Sequence, residues 1–249
     1  QVLANASAYD VPEACMILAD LQRHRRSLAR IVGERSPDCP RRQKRQHEPA
    51  LSGACDDAAE VVDEGRVSHD EAVTTVLHLV IAGNGTTTAL ISNAAYHILS
   101  HPDQARLLAT DPDLIPNAVE EVLRFEAPLP TDRRIATRTV TLGDQIISEG
   151  DLVMSGLAAA NRDPDHFPDP DTFDITRVFR ESHHFAFGRG IHLCLGAPVA
   201  RLEAAVALQV MFERFGVAEL PDRFEPDWHA ITTHRGVRTL PIRRGESAA

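Results

Sequence analysis

Three glycines surround one cysteine in Phe187-Gly188-Arg189-Gly190-Ile191-His192-Leu193-Cys194-Leu195-Gly196, the ten residues with the most chemistry in this chain. Glycine lets the backbone take positive φ and lie close to a flat ligand, with amides aimed at a sulfur. Such hydrogen bonds favour a thiolate. A helix beginning near Ala197 adds its positive end, which lowers the thiol pKa and suits metal ligation. As a lone residue, Cys194 reads better as a buried cysteine ahead of a helix. Glu121-Val122-Leu123-Arg124 sets opposite charges on one helical face, a spacing that ordinary surface ion pairs share. In Ala82-Gly83-Asn84-Gly85-Thr86-Thr87, small residues precede Thr86 by one turn. Its hydroxyl can bond the carbonyl of Ala82 and let a helix widen enough to hold dioxygen and water. The plainer reading is a glycine-weakened helix with exposed threonines.

These residues need elements to hold them. Ser68-His69-Asp70-Glu71 reads as a capping box, so a long helix follows and runs to Pro102 on apolar residues such as 73, 76, 77, 80, 90, 94 and 98. Two shorter helices come next, about 103–110 and 116–125, the second closed before Pro128. Thr, Val and Ile around turn signals between Arg133 and Val153 predict short antiparallel strands. A brief helix near 155–161, a Pro- and Asp-rich meander to Arg180, and a helix over about 197–215 complete the core. Short strands are expected around Ile231 and over Val237–Ile242. Ahead of all this, residues 10–33 carry a helical stripe, and 34–60 lose it. The fold class is mainly α with small antiparallel sheets.

Composition narrows the function. The chain has 249 residues, 43% hydrophobic and 25% charged, in the globular range. A net charge of -10 argues against nucleic acid as a partner. The basic knot Arg41-Arg42-Gln43-Lys44-Arg45 is the exception and reads as a solvated loop. No apolar stretch approaches the roughly 20 residues of a membrane span. Cys15, Cys39, Cys55 and Cys194 share no CxxC spacing, so neither zinc nor a disulfide framework is suggested, and a reducing, cytoplasmic setting fits best.

The loop around Cys194 resembles the cytochrome P450 signature Phe-Gly-x-Gly-x-His-x-Cys-x-Gly at every fixed position, and Ala197-Pro198-Val199-Ala200-Arg201-Leu202-Glu203 resembles the helix behind it. The likeness runs from about Ser68 to Ile242. It implies a cytochrome P450 fold, truncated at its N-terminus, with residues 1–67 an N-terminal helix and irregular linker and 68–249 the haem-binding core. By the resemblance, Cys194 would be the axial ligand of haem b, pushing electron density toward the iron to favour O–O cleavage. His192 would bond a propionate, Phe187 would pack on the cysteine side of the ring, and Gly188 and Gly196 would keep that face clear. Arg134 would pair with a propionate, with Arg133 as the alternative. Glu121, Arg124 and a meander arginine, Arg177, would lock the core. Ala82 and Thr87 would lie against the haem, with Gly83 and Thr86 at the dioxygen site, where Thr86 would deliver protons.

The implied activity is a haem-thiolate monooxygenase of the soluble bacterial type, inserting one oxygen atom from dioxygen into a small organic substrate. Electrons would come from NAD(P)H through a reductase and a ferredoxin or flavodoxin. Two departures stand out. The residue before the relay threonine is usually Asp or Glu in the family, and here it is Gly85. Oxygen activation is then expected to slow or to leak peroxide unless water or another side chain serves. Residues 34–60 lack the family's acidic, leucine-rich link, which fits a local frameshift or a divergent loop. With the first part of the fold missing, an exposed apolar face and weak activity are expected. The rival readings are a peroxide-driven peroxygenase, an inactive haem-binding remnant, and a structural or interaction protein in which the Cys194 loop is coincidental.

Overall fold

The computed structural model describes residues 62–179, 183–229 and 234–244. The expected helix over 10–33, the irregular stretch 34–60, the basic knot, Cys15, Cys39, Cys55 and Ile231 lie outside them. Two compact units are distinguished, Gln1–Ala82 and Gly83–Ala249.

Helix α1, His69–Ser100, starts where the capping box places it. The Glu71 carboxylate accepts from the Ser68 amide at 2.8 Å and from its hydroxyl at 2.7 Å, while the Glu71 amide donates to Ser68 Oγ at 3.3 Å. These bonds satisfy donors that the first turn would otherwise leave open. The helix stays α-helical through Gly83-Asn84-Gly85. The ladder survives because glycine weakens a helix by only about 1 kcal/mol, less than many turns on both sides hold in place.

Within Gly83–Ala249, α2 (Pro102–Thr110), a 3-10 turn (Pro112–Leu114) and α3 (Ile115–Phe125) follow. Leu90, Ala94 and Ile98 share one face of α1 and meet Leu108 of α2, Val119, Val122 and Leu123 of α3, and Leu208 in one core. Helix α3 buries most of its length and packs on α5, Ala197–Phe215. Strands β1 (Thr131–Ile135) and β4 (Leu152–Gly156) pair antiparallel, with Arg134 opposite Val153. Between them β2 (Val140–Leu142) and β3 (Gln145–Ile147) form a hairpin around Gly143. Helix α4 is a single turn, Leu157–Ala160.

Val237–Ile242 forms no strand. Among the described residues the C-terminal stretch contributes two isolated bridges, Trp228 to Val237 and Glu219 to Arg243. Pro241 has no amide to extend a ladder, and the Arg238 amide donates to the Asp227 carbonyl at 2.9 Å rather than to a flanking strand. Among the described residues, no helix is long and apolar enough to cross a membrane.

Candidate functional site

Helix α3 presents Glu121 and Arg124 on its buried face, and both are fully enclosed. Arg124 donates Nε and Nη2 to the two Glu121 oxygens, each at 2.8 Å. Its remaining hydrogens reach the carbonyls of Asn161, Pro170 and Thr172 at 2.8–3.1 Å. Arg177 Nε joins the same carboxylate at 3.1 Å, and its Nη atoms hold the carbonyls of Pro168, Asp169 and Thr172. The Asp174 amide adds a further bond to Glu121. The surface ion pair that spacing alone suggested is therefore a buried network, tying α3 to the meander. A planar fork with five donors suits such a site; a lysine could not fill it.

The cysteine loop follows directly. Gly188 has φ of +69° and Gly190 of +73°, a conformation that side chains disfavour, and a Cβ at 188 would approach the His192 carbonyl at 3.6 Å. The Cys194 amide donates to the Phe187 carbonyl at 2.9 Å, closing the loop, and α5 begins three residues later. Cys194 is exposed, as are His192, Gly196, Ile191, Leu193 and Leu195. Phe187 is partly buried against the core. Gly188 and Arg189 also line a cleft of about 390 Å³ with Arg134, Asp132 and Phe185.

Arg134 donates to Asp132 at 2.6 Å. That bond chiefly holds the Asp132 carboxyl below its ordinary value against burial, with the Arg133 amide, the Arg134 charge and His192 also favouring the charged form. Arg134 and His192 thus stand at one edge of the loop. Successive strand residues point to opposite faces, and it is Arg134, not Arg133, that lines the cleft. On α1, Thr86 and Thr87 are half-buried, and Gly83 is exposed. These three do not line this cleft. Ala82, the last residue of the other unit, is exposed; neither it nor Thr86 lacks an interaction partner. Thr88 bonds the carbonyl four residues back, at Asn84, at 2.8 Å.

Sequence reasoning missed the side chains that brace the loop. Buried Asn161 accepts from the Phe185 amide at 2.6 Å. Glu120 takes two bonds from Arg201 of α5, at 2.5 and 3.0 Å, and one from His184 at 3.1 Å. The Arg201 guanidinium lies over the Phe187 ring, 4.6 Å from its centroid. Burial alone would raise the Glu120 carboxyl, but the bonds from His184 and Arg201 outweigh it and bring it down to about 2. The doublet Glu120-Glu121 was visible in the sequence; its division between two networks was not.

A carboxylate held that low stabilises the fold above its unfolded value near 4.5 and loses that effect as pH falls toward 2. Thermal melts are expected to show wild type losing more stability than Glu120→Gln between those pH values, the two curves converging at the acid end. Parallel curves would show that the contacts carry no net charge-dependent stability.

The sequence profile of one family, Cytochrome P450, matches residues 110–235, just over half of the chain. The chain belongs to the cytochrome P450 family. Its relatives include 6-deoxyerythronolide B hydroxylase of Saccharopolyspora erythraea, 43% identical over 73% of this chain and 45% of that protein. Vitamin D(3) 25-hydroxylase of Pseudonocardia autotrophica is 44% identical over 75% and 46%. Among solved structures, the P450 CYP109E1 of Bacillus megaterium in complex with corticosterone superposes with a TM-score of 0.78 at 31% identity, covering 97% of this chain and 62% of that one. The chain spans about half the length of the curated relatives it matches.

The P450 family implies haem, and the residues here fit it. A soft sulfur on an exposed loop suits iron. Glycines 188 and 196 leave the surface beside it bare, the apolar Ile191, Leu193 and Leu195 offer a greasy rim, and Arg134 and His192 can meet carboxylates at its edge.

Proposed function

We propose that this chain is the haem-binding part of a monooxygenase that inserts one oxygen atom from dioxygen into a small organic substrate. The observation that carries the reading is the glycine-framed loop presenting Cys194 in front of α5. Bound haem b supplies the electron transfer and dioxygen chemistry. The chain's own residues do the rest. Cys194 would hold the iron, and the bond from its amide to Phe187 fixes the loop that aims the sulfur. Arg134 and His192 would receive the propionates, with Arg134 exchanging its contact with Asp132 for a haem carboxylate. Phe187 would pack beneath the ring. Thr86 and Gly83, with Ala82 and Thr87 beside them, would form the dioxygen side, and Thr86 would pass protons. Glu121, Arg124 and Arg177 would keep the frame rigid.

Electrons would come from NAD(P)H through a reductase and a ferredoxin or flavodoxin, in the reducing cytoplasm that the cysteine spacing suggests. One solved relative is in complex with an acyl carrier protein ligated to hexadec-9Z-enoic acid, so a carrier-bound acyl chain stands among the substrate classes to be tried. Gly85, which leaves position 85 without an acid, favours a second reading in which peroxide is used directly.

The deciding experiment is the absorbance spectrum of haem-reconstituted protein, reduced and exposed to carbon monoxide. Wild type is expected to give the long-wavelength Soret band of a thiolate ligand, and Cys194→Ser to lose it entirely. A band that persists in the variant would sink the assignment. Turnover with peroxide but not with a reductase would select the second reading.

A further inference from the structure

The space a side chain at position 85 would enter is already bordered by an imidazole. A Cβ on Gly85 would lie 3.6 Å from His234 Nε2 and 3.9 Å from its Cδ2. The backbone that follows His234 is anchored at its next two residues. Arg235 donates its amide to the Pro128 carbonyl at 2.8 Å, accepts from Asn93 Nδ2 at 2.9 Å, and pairs with Glu126 at 3.0 Å. One turn along α1 from Gly85, Ala89 sits so close that a Cβ on Gly236 would fall 2.7 Å from its own. The ring is therefore set beside residue 85 by a seated stretch of chain.

We propose that His234 replaces the acid missing at position 85 and relays protons to Thr86, the next residue of the helix. The inference rests on the reading of Thr86 as the proton-delivering residue. A neutral imidazole carries one donor and one acceptor nitrogen. A proton enters on one ring nitrogen from solvent, which the half-buried ring reaches. Another leaves the second nitrogen, directly or across one water, to the Thr86 hydroxyl as that hydroxyl gives up its own. Neither residue changes its net protonation. Burial first, and His229 second, hold His234 below the ordinary histidine value, so it is neutral and able to act both ways at pH 7.

Two measurements test this on the haem-loaded chain. NADPH consumption in air, driven by ferredoxin and its reductase, reads the protons that dioxygen reduction consumes without needing an organic substrate. His234→Gln keeps a polar side chain of similar size but cannot relay, and is expected to slow consumption several-fold and enlarge the solvent deuterium effect. Adding Gly85→Glu should restore the rate. Nitrogen-15 histidine spectra read the placement itself: Gly85→Glu should raise the His234 titration point, and Gly85→Ala should not. An unmoved titration point overturns the placement, and an unchanged rate in His234→Gln overturns the relay. A wild-type chain lacking the thiolate band overturns the haem reading along with it, which separates that failure from failure of the relay alone.

Discussion

Arg124→Ala is expected to lower the stability of the chain by about 3–5 kcal/mol, because it takes the ion-pair partner from a buried carboxylate and strands the Asn161 and Pro170 carbonyls at once. For a chain of this size that corresponds to a fall in Tm of roughly 6–20 °C. Glu121 keeps Arg177 and the Asp174 amide, so the buried carboxylate loses two of its bonds rather than all of them. Arg124→Lys keeps the charge but supplies three donors from one point, where the native fork spans Glu121 on one side and Asn161, Pro170 and Thr172 on the other. It is expected to fall nearer to alanine than to wild type in thermal or urea unfolding. A Lys variant as stable as wild type would show that charge alone, without fork geometry, holds the meander.

Gly236→Ala is expected to cost about 1–3 kcal/mol by overpacking against α1. The added methyl would meet Ala89 Cβ at 2.7 Å and its Cα at 3.1 Å, and neither belongs to a flexible side chain that could swing aside. The segment must lift, loosening the bond from the His229 amide to the Gly236 carbonyl at 3.0 Å and the bridge from Trp228 to Val237. Unfolding midpoints check the cost, and faster hydrogen exchange at the His229 amide checks its cause. Exchange unchanged alongside lost stability would place the strain elsewhere.

What the sequence disclosed follows from how near in the chain the partners stand. The long helix was legible from Ser68, Glu71 and Pro102, and α5 from the glycine-to-alanine boundary at 196–197, because caps and breakers act within a few residues. The Cys194 loop was legible because glycines at fixed offsets have few other uses. Burial of Glu121 and Arg124 was not: the same i, i+3 spacing serves an exposed pair, and the difference lies in the carbonyls of Asn161, Pro170 and Thr172, 37 to 48 residues away. The Glu120 brace spans 81 residues to Arg201. His234 meets Gly85 only after the C-terminal stretch lies along α1, a placement that depends on Gly236, and no local pattern announces it. The strand expected over Val237–Ile242 failed for the same reason. Its alternation of residue types is real, but Val237 and Arg243 each meet a single partner, Trp228 and Glu219, and no continuous ladder forms.

The meander between Asp163 and Phe179 has no regular structure, and the guanidinium groups of Arg124 and Arg177 explain why it should not. A cation in water is surrounded by oxygens pointing inward from several directions. Those two arginines find the same arrangement in backbone carbonyls at residues 161, 168, 169, 170 and 172. A helix or a strand would already have committed those oxygens to its own ladder and aligned them along one axis. Only an irregular path leaves most of them uncommitted and all of them converging, so this part of the protein behaves as a hydration layer written into the polypeptide.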